Sequence, residues 1–96
     1  MAQEIADNPD KHRYELVIDG ALAFVAYRRS PGLITFVRAQ VPPALGGRGI
    51  GSRLARAVLE AARANGDKVI PQCSFIAAFI GKNPEFQDLL AMQSGA

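Results

Sequence analysis

Ninety-six residues, 49% hydrophobic and with a net charge of +2, describe one small folded domain and not a disordered tail. No apolar run approaches the ~20 residues of a membrane span, and residues 1–11 hold no apolar signal region, so a cytoplasmic protein is expected. The single cysteine can form no internal disulfide, and one His with one Cys cannot assemble a common zinc site, so no metal is expected.

In chain order, residues 1–11 read as a polar, flexible leader, 12–91 as the folded domain and 92–96 as a frayed end. Tyr14, Leu16 and Ile18 alternate, which predicts a first strand over 12–18. Asp19-Gly20 is a two-residue hairpin signal, and 21–28 returns as a second strand with Leu22, Phe24 and Ala26 on one face. After the turn Ser30-Pro31-Gly32, a third strand over 33–41 completes an antiparallel meander. Pro42-Pro43 ends it, because proline donates no ladder hydrogen bond.

Four glycines then fall within residues 46–51, and a helical pattern follows over 48–65 with Ile50, Leu54, Val58 and Ala61 on one stripe. Glycine leaves the backbone unshielded, so N–H groups at a helix start can close on a phosphate. The spacing departs from two better-known phosphate loops. No Gly-Lys-Ser/Thr triplet is present, and Asp67, near the position a dinucleotide fold would require, precedes the next strand. Asn65-Gly66 stops the helix, and a right-handed crossover then places a fourth strand, 68–72, parallel to the third. The apolar run 75–80 reads as a helix, and Asn83-Pro84-Glu85 starts a last short one with Asn83 as its N-cap.

Among single residues, His12 reads as a surface residue, Tyr14 and Tyr27 as packing, and Glu60 as an ion-pair partner of the helix arginines. Arg28, Arg29, Arg38, Arg48, Arg53, Arg56 and Arg63 crowd the middle of the chain. They are compatible with an anionic ligand, but charge alone favours a solvated face.

The order of these features resembles the GCN5-related N-acetyltransferases, and more closely their very small single-domain branch. The likeness rests on Val41-Pro42-Pro43, the Gly49-Ile50-Gly51 segment, Val69-Ile70-Pro71 with Cys73, and Asn83-Pro84-Glu85, and spans roughly 12–91. It implies an α/β (α+β) fold with a coenzyme A cleft between the third and fourth strands. It implies acetyl-CoA as cofactor, held by Gln40 and Val41 on the strand and by Gly46, Gly47, Arg48, Gly49, Ile50, Gly51 and Ser52 at the helix start. It also implies an amine acceptor that attacks the thioester directly while a backbone N–H polarises the carbonyl. Cys73 is placed near the acetyl group by the same likeness. It is the one catalytic candidate, with an inert buried thiol as the alternative.

The chain departs from the family pattern at three places. Gly46 stands where the broad motif opens with Gln or Arg. Arg38-Ala39-Gln40 replaces a His-Thr-Glu-like segment, and Phe86 replaces a tyrosine. Arg and Gln cannot usefully accept a proton at neutral pH. A coenzyme A-binding domain with little catalysis is therefore the second reading. A basic nucleic-acid module is the third, and it lacks aromatics interleaved with its arginines. A monomer or weak homodimer is expected.

Overall fold

The sheet begins one strand earlier than the alternation around Tyr14 predicts. The computed structural model describes residues 5–43 and 49–91, and Ala6–Asn8 already forms a strand, β1. It runs antiparallel to β2 (Arg13–Ile18), with Ala6 opposite Glu15 and Asn8 opposite Arg13. Pro9–Lys11 makes a 3-10 turn between them. The flexible leader expected over 1–11 is thus a structured sheet edge at residues 6–11. Polar contacts hold it: Tyr27 Oη donates to Asp7, and Asn8 Nδ2 donates to Glu15 Oε2 at 3.1 Å. An edge fastened by side-chain hydrogen bonds carries no hydrophobic period, so composition could not reveal it.

β3 (Ala21–Ser30) follows through Asp19-Gly20, both at positive φ (54° and 78°), the backbone that a type I′ hairpin requires. Pro31 and Gly32, the latter at φ 71°, turn the chain into β4 (Leu33–Gln40). Helix α1 (Ile50–Asn65) then crosses to β5 (Lys68–Pro71), which pairs parallel to β4. The sheet order is β1-β2-β3-β4-β5. The added edge makes β4 and β5 the third and fourth strands of the sequence reading.

Helix α2 (Ser74–Lys82) and a 3-10 helix (Pro84–Leu89) complete the described chain. That last segment differs from expectation. The Asn83 side chain caps nothing ahead of it and instead donates back to the Phe79 carbonyl at 2.8 Å, closing α2. Gly66, by contrast, acts as predicted. At φ 78° it donates to the Arg63 carbonyl (3.1 Å) while Asp67 N–H reaches Ala62 O (2.9 Å), a Schellman stop.

One core lies on one face of the sheet. Tyr14, Leu16, Ala23, Val25, Tyr27, Ile34, Phe36 and Val69 point into it, against Leu54, Val58 and Leu59 of α1, Ile76 and Ile80 of α2, and Phe86. Leu22, Phe24 and Ala26 do share a face, and it is the one turned away from this core. The register sets the sides: Tyr14 lies opposite Val25, and Leu16 opposite Ala23. Phe24 is half-buried there beneath the Arg13 guanidinium, 4.6 Å from its ring centroid.

Candidate functional site: the opening between β4 and β5

β4 is flanked by strands on both sides for only half its length. Its parallel ladder with β5 runs from Leu33↔Lys68 to Phe36↔Pro71. One further bond, Cys73 N–H to Phe36 O at 2.9 Å, ends it, and the chain turns into α2. Beyond that point Arg38, Ala39 and Gln40 pair with β3 alone. Among the described residues no strand covers their other edge, so backbone groups there are available to an extended ligand arm.

The parting coincides with a bulge. Ala26 opposes Arg38 while Tyr27 opposes Phe36, so Val37 is the extra residue. The bulge reverses side-chain parity. Ile34 and Phe36 face the core before it, and Ala39 packs against the core after it. Arg38 and Gln40 are consequently exposed on the outer face, with the Arg38 guanidinium 5.6 Å from the Phe24 ring centroid. Val41, half-buried, packs against the core.

The helix that follows opens without a stopper. Gly49, at φ 72°, is its N-cap, and the helix begins at Ile50. Gly49 has no side chain to cap it, and no acidic residue stands in its first turn. A helix start of this kind presents backbone N–H groups and a positive dipole end. Gly51 lies in that turn. A Cβ built there would sit 2.9 Å from Cζ of Phe75, so the ring rests on bare helix backbone. Phe75 is otherwise 42% exposed, at the first turn of α2. Ser52 and Arg53 are exposed beside it, whereas Ile50 is buried and packs in the core. Gly46, Gly47 and Arg48, the other expected loop contacts, lie outside the described residues.

Cys73 is 7% exposed and occupies the N-cap of α2. Its carbonyl accepts from Ala77 N–H at 3.0 Å, but its thiol makes no capping bond. The backbone thus places Cys73 at the mouth of the opening, one hydrogen bond from the last paired residue of β4. Phe86 is core: its ring lies 6.0 Å from Phe79 and beneath the guanidinium of Arg56.

The arginines do not form one cationic patch. Arg56 pairs with Glu85 (3.2 Å), and Arg63 holds Asp88 through both nitrogens (2.9 and 3.1 Å). Arg29 binds Asp67 at 2.9 Å and approaches Asp7 at 3.8 Å. Glu60 makes none of these ion pairs; Asp88, from the 3-10 helix, takes the partner it was expected to have. Among the described residues, Arg28, Arg38 and Arg53 form no ion pair, and sequence spacing could not sort them from the rest.

The sheet parts at a bulge, and the next described element after β4 is a helix with glycine at its N-cap. Residues 13–89 match the family model of the GCN5-related N-acetyltransferases, and the chain belongs to that family. A GCN5-like protein of Staphylococcus aureus, solved by NMR in solution, is similar in fold with a TM-score of 0.71. It is 32% identical, and the match covers 98% of this chain and 94% of that one. No curated protein matches. No helix among the described residues is long and apolar enough to cross a membrane.

Proposed function

We propose that this protein binds acetyl-CoA between β4 and β5 and transfers its acetyl group to an amine within a ternary complex. The carrying observation is the parted ladder: β4 runs on past Phe36 with one edge open, toward the glycine segment and the uncapped start of α1. The residues fit the cofactor. Gln40 and Val41 would offer backbone groups to its pantetheine arm. Gly49, Ile50, Gly51 and Ser52, with Gly46, Gly47 and Arg48, would hold its pyrophosphate through N–H groups and the helix dipole. When bound, acetyl-CoA supplies an activated acyl thioester. The protein's part is to fix that group beside the acceptor, and such positioning lowers a barrier without a protein nucleophile. Cys73 then shapes the acetyl end of the cleft.

Calorimetric titration with acetyl-CoA and with free coenzyme A tests the site. Saturable binding by the parent is expected, and its loss in Gly51→Val. Because that side chain also meets Phe75, the double variant Gly51→Val/Phe75→Ala separates misfolding from a blocked backbone. A folded double variant that binds like the parent would place the site elsewhere.

A second reading is cofactor binding with little turnover. Positions 38 and 40 carry no proton acceptor, and position 86 is a buried Phe without a hydroxyl. Release of free thiol from acetyl-CoA with and without amines distinguishes the two readings.

A further inference from the structure

The far end of β3 carries a groove that the cofactor reading leaves unused. Its volume is about 870 Å³, and Lys11, His12, Ala26, Arg28 and Val37 are among its lining residues. Val37 is the bulge residue, so one wall of the groove is the point where β4 parts from β5. Arg28 ties it to the same place from the other side. Its Nη2 reaches across β4 to Gln72 Oε1, a long 3.5 Å contact, and Gln72 directly precedes Cys73. Among the described residues no carboxylate lines the groove. Of its two arginines, Arg29 is already matched by Asp67 and Asp7. Arg28 and Lys11 have no ion pair among the described residues. His12 is held in a left-handed backbone (φ 55°) by its N–H bond to Pro9 O, with its ring against Tyr27. The turn that carries Lys11 and His12 is therefore fixed in shape.

Arg28 and Lys11, neither in an ion pair among the described residues although the Lys11 charge is felt by Glu15, stand at an open groove and favour anions over polycations. We propose that this groove receives the acyl acceptor, and that the acceptor is an amine carrying its own anionic group, a carboxylate or a phosphate, which Arg28 and Lys11 hold while the amine points to the parting at Val37. This rests on the acetyl-transfer reading above, which supplies the donor on the other side of the parting.

The test uses the full chain and four small probes: β-alanine, phosphoethanolamine, β-alaninamide and spermidine. NMR titration in the presence of coenzyme A should show saturable shifts at the His12 ring and the Arg28 side chain with one or both anionic amines. β-Alaninamide and spermidine should give none. Which anionic amine responds identifies the group recognised. Arg28→Glu and Lys11→Glu should each weaken that response by roughly fivefold to tenfold, the scale of an exposed charge contact removed and reversed. Equal or stronger shifts with spermidine, no saturable shift with either anion, or tight duplex binding through the same residues would overturn the proposal. Calorimetry of acetyl-CoA on the same variants reports the cofactor site independently. Unchanged acetyl-CoA binding with lost anion response isolates the groove, while absent acetyl-CoA binding in the parent refutes the donor reading instead.

Discussion

The two halves of β4 have opposite duties. Leu33–Phe36 is walled by β3 and β5, and Ile34 and Phe36 are fully buried. Val37–Gln40 keeps β3 as its one strand partner, and its side chains are exposed or half-buried. One extra residue at the bulge separates them. The paired half packs against α2 and lies in the core that α1 closes from β3 and β5. The open half contributes less to that core, and among the described residues its second edge has no strand partner.

The widest test of this contrast is stability. Phe36→Ala should cost about 3–5 kcal/mol, as expected for a fully buried phenyl group. Gln40→Ala should stay within roughly 0.5 kcal/mol. Denaturant midpoints measure both, and similar losses would mean that the halves are not distinct. Next come the two glycines at the start of α1. Gly49→Ala should lose about 1–2 kcal/mol, because φ 72° is left-handed. Gly51→Ala sits in helical backbone, where alanine is favoured by up to ~1 kcal/mol. It should keep stability within that range, move the Phe75 ring and weaken acetyl-CoA binding. Thermal melts and calorimetry together read this split.

Smaller still is the effect at Cys73. Cys73→Ala should retain acetyl-CoA binding and lose less than about tenfold in rate, ~1.4 kcal/mol of barrier. Mass spectrometry should find no stable acetyl adduct on the parent thiol. A stoichiometric adduct that an amine discharges, with a dead alanine variant, would establish a covalent route.

The gentlest prediction concerns acid. Hydrogen bonds from Arg13 to Glu15 and from Arg63 to Asp88 hold those carboxyls below their usual range, and Glu85 is lowered by its own backbone N–H and then by Arg56. A depressed carboxyl pKa adds stability that is present above the unfolded value and lost as pH falls through the folded one. Stability should therefore drop as pH falls below the ordinary carboxylate range, modestly, since Glu85 and Asp88 are solvent-exposed and Glu15 is only half-buried. Arg63→Gln should flatten that acid limb in pH-dependent melts. An unchanged limb would show that the Asp88 pair is not felt.

Much of this architecture was legible because local chemistry and tertiary need agree. Asp19-Gly20, Gly32 and Gly66 each need positive φ and announce their turns. Ile50, Leu54 and Val58 recur at the helical period and are buried. Other features depend on partners far along the chain. β1 is fastened by Asp7 to Tyr27, twenty residues away, and Arg63 chooses Asp88 over Glu60 through the fold of the 3-10 helix. The bulge at Val37 is a property of register, which no single strand encodes. For the site, the glycine segment and Cys73 stood out as residue types. The groove at Lys11, His12 and Arg28 did not, because Lys11 reads as leader and His12 as the start of a strand, while a turn brings both to Arg28.

The parallel pairing of β5 also sets when the cleft can exist. The β2–β3 hairpin closes with Ile18 opposite Ala21, three residues apart, whereas the β4–β5 ladder first joins Leu33 to Lys68, thirty-five apart. Loop-closure entropy makes the longer closure costlier by about 2 kcal/mol, before α1 and the core offset it. The meander can therefore assemble as the chain leaves the ribosome, while the opening between β4 and β5 waits until residue 71 has emerged and α1 has docked. A ribosome-bound intermediate would be a sheet with the β5 side of β4 still bare. In native-state hydrogen exchange, the amides of β5 should accordingly open at lower free energy than those of the β2–β3 hairpin.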